Sequence, residues 1–192
     1  MKKSIGAKTL AMPAPLWLVG SYDEDGAPNI MASAWCGICS SQPASVTVSL
    51  RKATYSYAGI VARKAFTVSI PGESQAVEAD YVGIVSGRDV NKFETSGMTA
   101  VRSELVDAPY LGEAPVVIEC RLMHVLEVGL HTMLVGEIVD VKADESVLGP
   151  KGYPDITKVR PICWDPAHGG YYGVGQYLGQ AWQIGKQMKQ GN

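Results

Sequence analysis

Short segments in which apolar and polar residues alternate, each bounded by turn residues, run through most of the sequence. Between positions 45 and 50, Val46 and Val48 alternate with Thr47 and Ser49. A period of two is typical of a strand that buries one face. This pattern, or a short apolar run, predicts strands at 16–22, 29–35, 45–50, 65–70, 116–128 and 130–141. Six strands are enough to close an antiparallel β-barrel and to remove its exposed edges.

Three short helices are predicted between these strands. They cover 54–63, 75–85 and 89–96, with Thr54 at the N-cap of the first and Gly97 closing the last. From Leu148 onward Gly, Pro, Tyr and Trp become frequent, and such a segment is too apolar to be a disordered linker. The 192 residues therefore predict one mainly β domain, in which residues 148–192 form an aromatic, Gly-rich C-terminal extension that packs on the barrel or on a second subunit.

Charge and composition exclude several classes of protein. Lys and Arg total 17 against 19 for Asp and Glu, which gives a net charge of -2, so neither a nucleic-acid surface nor an anionic-membrane surface is expected. Lys8, Pro13 and Pro15 interrupt the apolar residues near the N-terminus before a secretory signal can form, and we expect a cytoplasmic protein. The chain has no run of about 20 apolar residues that would span a membrane.

The segment 45–56 carries the pattern that indicates a phosphate site. A strand delivers Arg51 and Lys52 directly to a helix start that offers the hydroxyls of Thr54 and Ser56. The first N–H groups of a helix are unpaired and lie at its positive end, so cations and hydroxyls placed there are typical of an anion site. The alternative is an ordinary capped helix with two solvated basic residues. No G-x-x-x-x-G-K-[ST] motif is present, which argues against a nucleotide hydrolase.

A second candidate segment is the strand that ends at Trp35. Residues 29–35 are rich in small side chains, and a flat ligand can lie against the backbone of such a strand and use its N–H and C=O groups. The alternative is a strand packed tightly against a neighbour.

Four separated motifs then occur in order: P-x-x-L-V-G-S-Y-x-x-D-G-x-P-N-x-M-A-x-A-W, V-S-L-R-K-x-T-Y-S, A-D-Y-x-G-I-x-S-G-R-D-x-x-K-F and G-L-H-T-M-L-x-G-E-I. Together they resemble flavoredoxin and the wider flavin reductase-like family over nearly the whole chain. The resemblance implies an antiparallel split β-barrel that binds FMN. It also implies a homodimer, with the flavin in a groove near the subunit interface.

The resemblance also implies roles for individual residues. Those expected to flank the isoalloxazine and ribityl chain are Asn29, Met31, Ala32, Ser33, Ala34 and Trp35. Those expected along the ribityl side are Ser49, Leu50 and Arg51, and those expected to hold the phosphate are Lys52, Thr54, Tyr55 and Ser56. Lys92 is a further phosphate candidate, for which the alternative is a surface lysine on a helix.

His131, in the G-L-H-T motif, is expected to face the flavin or the nicotinamide. It would stabilise negative charge on the reduced flavin or contact the hydride donor, and the alternative is a structural histidine. Cys36 and Cys39 form a C-x-x-C, but no second pair completes a zinc site and no helix is predicted to start at Cys36. We interpret these cysteines as structural or incidental rather than as a redox dithiol, and we predict no metal site.

The first functional hypothesis is an FMN-dependent oxidoreductase. It would take electrons from NADH or NADPH and pass them to a small acceptor, such as free flavin or ferric iron, or to a redox protein. The second is an FMN electron carrier that is reduced by a protein donor and has no NAD(P)H activity of its own. The third is a non-flavin module that binds another phosphorylated ligand, such as a pyridoxal derivative.

Overall fold

The structure is a computed structural model that describes residues 1–189. Its strands are β1 (Ala14–Pro15), β2 (Trp17–Tyr22), β3 (Pro28–Ser33), β4 (Cys36–Ser41), β5 (Ala44–Leu50), β6 (Ala65–Ile70), β7 (Ala100–Arg102), β8 (Pro109–Leu111), β9 (Val116–Val128), β10 (His131–Ala143), β11 (Ile162–Asp165) and β12 (Gly170–Gly173). Its α-helices are α1 (Tyr55–Arg63), α2 (Ala76–Ile84), α3 (Lys92–Ser96) and α4 (Ile156–Val159). Shorter 3-10 turns cover Glu73–Gln75, Glu145–Val147 and Ile184–Lys189.

Seven strands form one antiparallel sheet in the order β3-β2-β6-β9-β10-β5-β4. The sheet curls until its two ends approach each other, since only Ala34 and Trp35 connect β3 at one end of the sheet to β4 at the other. In the sheet order β3 pairs only with β2, so the other side of β3 carries backbone groups that the sheet does not use. The predicted mainly antiparallel β fold is confirmed.

The core divides into two layers because successive side chains of a strand point to opposite faces. Inside the curled sheet, Val19 packs with Val48 and Phe66, among others. On the other face, Leu18 and Ile30 pack against Val82 of α2 and Phe93 of α3. The second layer fixes α2 and α3 beside β3, and this arrangement places the loop that follows α2 next to the start of α1.

Two local predictions need correction. Thr54 occupies the N-cap position of α1 but its side chain makes no capping hydrogen bond. The third helix was expected from position 89, but α3 begins at Lys92 because the Asn91 side chain accepts a hydrogen bond from the N–H of Glu94 at 3.3 Å and caps the helix there.

Strand β4 was missed by the sequence pattern because small and polar residues dominate it. Cys36 is partly buried and Cys39 is exposed, and Cys39 lies at an irregularity in the pairing of β4 with β5, between Ile38 and Ser40. Burial raises the pKa of the Cys36 thiol to about 12, which keeps it protonated and poorly nucleophilic at neutral pH.

The extension from residue 148 divides into two parts. Val159 of α4 packs against Val116 and Val147, and β11 and β12 form a small sheet with β1. Tyr171 of β12 donates its hydroxyl to Asp80 of α2 at 2.9 Å. The segment 174–188 follows, and its large side chains are exposed: Tyr177 by 73% and Trp182 by 89%. The expectation that it packs on a second subunit stays a prediction.

Candidate functional site

A cavity of about 320 Å³ lies where the start of α1 meets β3 and the loop that follows α2. We call it the cradle. The predicted site residues that line it are Asn29, Met31, Ala32, Thr54, Tyr55, Ser56 and Lys92. The structure therefore brings together seven residues that span more than sixty positions of the sequence.

The floor of the cradle is polar and buried. The Asn29 side-chain amide donates to the Ser56 hydroxyl at 2.8 Å, and both side chains are buried. The Thr54 hydroxyl is not used for capping, so it remains free to donate to a ligand. The first N–H groups of α1 lack intrahelical acceptors and carry the positive end of the helix dipole.

Lys92 is not a surface residue. Its side chain is only 5% exposed, and its ammonium donates to the carbonyl of Val82 at 2.7 Å. Burial lowers the pKa of Lys92 to about 8. An ammonium has three N–H donors, so the bond to Val82 leaves two of them available toward the cradle. A negative ligand in the cradle would stabilise the charged form that burial disfavours.

Four residues of the loop between α2 and α3 line the cradle and were not predicted: Val85, Ser86, Gly87 and Arg88. Arg88 donates from Nη2 to the carbonyl of Ala53 at 3.0 Å, and its guanidinium lies 5.6 Å from the centre of the Tyr55 ring. Gly87 lies so close that a Cβ there would be 2.5 Å from Tyr55 Cδ1. The S-G-R-D-x-x-K-F motif contained the last three of these residues, but only its lysine had been singled out.

The four predicted residues from Ser49 to Lys52 do not line the cradle. The Lys52 ammonium forms an ion pair with Glu127, in which both side chains are more than half exposed. Arg51 is exposed and Ser49 is half-buried, whereas the Leu50 side chain belongs to the core inside the curled sheet. Their predicted contacts with phosphate and ribityl groups stay predictions.

A second cavity, of about 410 Å³, lies beside residues 34–36, which directly follow β3. Ala34, Trp35 and Cys36 line it together with Trp164 of β11. The indole of Trp35 contacts the imidazole of His131, with ring centres 4.4 Å apart and planes inclined by 44°. We call this part of the molecule the ring end. Trp164 had not been assigned to the site, because only the fold brings β11 beside Trp35.

Strand β3 connects the cradle to the ring end. Asn29 lies at one end and Ser33, which is buried, at the other, and Trp35 lies six positions after Asn29. An extended strand rises about 3.3 Å per residue, so these two positions are up to roughly 20 Å apart. Strand β3 therefore runs between the cradle, which Asn29, Met31 and Ala32 line, and the cavity at the ring end, which Ala34 and Trp35 line. An elongated ligand with a phosphate at one end and an aromatic ring at the other would span this distance.

The family of this chain follows from its similarity to known proteins. A family model described as the flavin reductase like domain matches residues 9–165, which include the cradle and the ring end. The chain belongs to this family. The predicted family and the predicted split barrel are both confirmed.

Individual members of the family are similar over most of their length. Flavoredoxin of Desulfovibrio vulgaris (Miyazaki F) is 55% identical, the alignment covers 97% of this chain and 100% of that one, and the TM-score is 0.93. Flavoredoxin from Methanosarcina acetivorans is 31% identical, with 98% and 99% coverage and a TM-score of 0.92. The uncharacterized protein YddH of Escherichia coli (strain K12) is 33% identical over 144 residues, which cover 73% of this chain and 76% of that protein.

Two further findings concern the described residues. Within 1–189, none of the helices combines the length and the apolar character needed to cross a membrane. In the same part of the chain, no three His, Cys, Asp or Glu side chains are grouped closely enough to hold a metal ion.

Proposed function

We propose that this protein binds FMN non-covalently and transfers electrons through it from NADH, NADPH or a protein donor. The acceptor is a small molecule, such as free flavin or ferric iron, or a partner protein. The observation that carries the proposal is the cradle, where a buried ammonium, a hydroxyl without a capping role and a helix start converge on one cavity. This set of donors fits the phosphate of FMN, because a phosphate offers several acceptor oxygens and nearly two negative charges at neutral pH.

In this proposal the residues of the cradle bind and orient. Lys92 supplies a charge-assisted hydrogen bond, and Thr54 donates its hydroxyl to a phosphate oxygen. The amide of Asn29 holds the Ser56 hydroxyl in one position at 2.8 Å, so the floor of the cradle is ordered before the ligand arrives. Preorganised donors reduce the entropic cost of binding.

At the ring end the protein would tune the flavin ring and leave it accessible rather than bind it tightly. FMN, when bound, supplies the hydride and single-electron chemistry of its isoalloxazine. The His131 imidazole, fixed against Trp35, would offer a hydrogen bond to the polar edge of that ring. Trp35 is 40% exposed, which leaves room for an electron donor to approach.

The first experiment is the visible spectrum of the purified protein, recorded before and after addition of NADH without oxygen. Yellow colour that bleaches within seconds supports a reductase that uses a nicotinamide. Yellow colour that persists until a protein donor or dithionite is added supports an electron carrier, a role that the similarity to two flavoredoxins favours. A colourless protein that does not take up added FMN contradicts both, and leaves a module for another phosphorylated ligand.

We also propose that the protein is a homodimer. Two apolar surfaces lack partners within the described residues: the segment 174–188, and the projecting end of the β9–β10 hairpin, where Val128 is 61% and Leu130 is 68% exposed. Under twofold symmetry the segment of each chain can cover the hairpin of the other. The large apolar side chains of these two surfaces would together bury on the order of 1,000 Å² per protomer, which is the area that a stable dimer requires.

Sedimentation equilibrium of a chain that ends at Gly173 tests this arrangement. We expect the full chain to be a dimer at micromolar concentration and the shortened chain to dissociate at least tenfold more readily. Val77→Ser, a change on α2 at a side chain exposed by 79%, is the control and should leave the dimer intact. An intact dimer after truncation would contradict the role of segment 174–188.

A further inference from the structure

We propose that Tyr55, Gly87 and Arg88 form a wall that closes the outer end of the cradle and makes the site select a flavin mononucleotide over a flavin dinucleotide. The inference rests on the proposed function, because it takes the cradle to be the place of the FMN phosphate. A dinucleotide carries a second phosphate and an adenosine on that first phosphate. The wall determines whether these groups have a way out of the cradle.

The members of the wall come from two elements and hold one another in place. The Tyr55 hydroxyl donates to Asp23 Oδ2 at 2.7 Å, which fixes the ring. Arg88 lies over that ring and donates to the carbonyl of Ala53 at 3.0 Å. A Cβ at Gly87 would come within 2.4 Å of Asn29 Oδ1, so no free space separates this loop from the floor of the cradle.

The wall also lies where an adenylate would have to leave. The exposed residues that line the cradle are Ala53, Gly83 and Arg88. The hydrogen bond between Arg88 and Ala53 joins two of these three across the rim. The opposite side of the cradle is filled by the buried Lys92 and by the buried pair of Asn29 and Ser56. A second phosphate that extends toward Ala53 and Arg88 therefore meets the wall.

Charge on the far side of the wall acts in the same direction. A separate cavity of about 280 Å³ begins there, shares Asn29 and the three wall residues with the cradle, and is lined by Asp23 and Asp89 among others. Burial raises the pKa of Asp23, but hydrogen bonds from Tyr55 and from backbone N–H groups outweigh it and lower the pKa. The two carboxylates would repel the second phosphate of a dinucleotide that passed the wall.

Isothermal titration of the flavin-free protein with FMN, FAD and riboflavin tests the proposal. In the natural protein we expect FAD to bind at least about 30-fold more weakly than FMN. In Arg88→Ala and in Tyr55→Ala we expect the FAD affinity itself to rise at least tenfold. Arg88→Met keeps much of the bulk without the charge and the hydrogen bond, and should give an intermediate result. Arg102→Ala, which removes an exposed arginine of β7, is the matched control and should change neither affinity.

The outcomes separate the wall from the FMN site itself. If none of the three flavins binds, the proposed function is wrong. If FMN binds and FAD binds within threefold of it in the natural protein, the wall does not select. The wall is also contradicted if the FAD affinity stays unchanged in both alanine variants. This holds even if the ratio of the FMN affinity to the FAD affinity falls because FMN binds more weakly. Thermal unfolding of each variant near the natural melting temperature confirms that the changes are local.

Discussion

The cradle and the ring end differ in how firmly the protein holds its own side chains. In the cradle, Lys92 is 5% and Asn29 is 4% exposed, and each is tied by a hydrogen bond to a group from another part of the chain. At the ring end, Trp35 is 40% exposed and its ring contact is with the half-buried His131. A rigid, buried cradle suits binding, whereas an accessible ring end suits electron exchange.

Under the proposed function, the affinity for FMN and the reactivity of the bound flavin depend on different parts of the molecule. Interactions that are equally strong in all states of the reaction contribute to binding and not to rate. Changes in the cradle should therefore alter the affinity for FMN and leave the chemistry of the bound flavin alone. Changes at the ring end should do the reverse.

The largest expected effect follows from replacing Lys92 with Met. The phosphate would lose a charge-assisted hydrogen bond worth about 1.5 to 3 kcal/mol, so we expect FMN to bind roughly 10- to 100-fold more weakly by isothermal titration. The flavin-free variant should at the same time be more stable than the natural protein, because an apolar side chain replaces a buried charge.

Lys151→Met, at an exposed position, serves as the control and should alter neither affinity nor stability. An unchanged FMN affinity in Lys92→Met would place the phosphate elsewhere and would remove the distinction between the two ends.

The next effect concerns pH. Because burial lowers the pKa of Lys92 from 10.5 to about 8, the unfolded chain binds more protons than the folded one between these values. The contribution of Lys92 to the stability of the flavin-free protein therefore rises as the pH increases from about 8 to 10.5, and this gain is lost as the pH falls. The gain is on the order of 2 to 3 kcal/mol. Urea unfolding at several pH values should show it as the difference between the natural protein and Lys92→Met.

A pH profile that is the same in both proteins would show that Lys92 titrates normally in the fold. Bound FMN should flatten the profile of the natural protein, since the phosphate stabilises the ammonium.

One part of the cradle was predictable because it is local in sequence. A strand that leads into a helix start with Thr54 and Ser56 indicates an anion site from residue types alone. The burial of Lys92 was not predictable in this way, since a lysine on a short helix is usually exposed. Only the packing of α2 and α3 against β3 encloses it.

The ring end was less predictable because it depends on contacts between distant strands. Lys52 was itself predicted to hold the phosphate, yet its side chain extends toward Glu127 on β9. Trp164 lies 129 positions from Trp35 and lines the same cavity. Sequence motifs therefore indicated segments that line the two cavities, whereas the orientation of charged side chains and the contribution of β11 came from the tertiary fold.

A smaller effect on the FMN affinity is expected when Thr54 is replaced, and a still smaller one when Lys52 is replaced. Thr54→Ala removes one neutral donor from the cradle and should weaken FMN binding about fivefold, or about 1 kcal/mol. Lys52→Ala removes only an exposed ion pair, and such pairs contribute little, so its affinity should stay within about twofold. Fluorescence titration of the two single variants measures both. A larger loss in Lys52→Ala than in Thr54→Ala would mean that the Lys52 side chain turns from Glu127 toward the phosphate when FMN binds.

The smallest effect on affinity, and the sharpest test of the comparison, concerns His131. We expect His131→Gln to bind FMN within about threefold of the natural protein, because the cradle is untouched. The reduction potential of the bound flavin should shift by some tens of millivolts, since about 59 mV corresponds to a tenfold change for one electron. Redox titration of this variant is compared with that of His124→Gln, the same substitution on the exposed part of β9. The difference between the two reduction potentials measures what the position of His131 contributes. If both variants keep the natural potential and the natural rate of reduction, the imidazole only supports Trp35, and the ring end tunes the flavin through other groups.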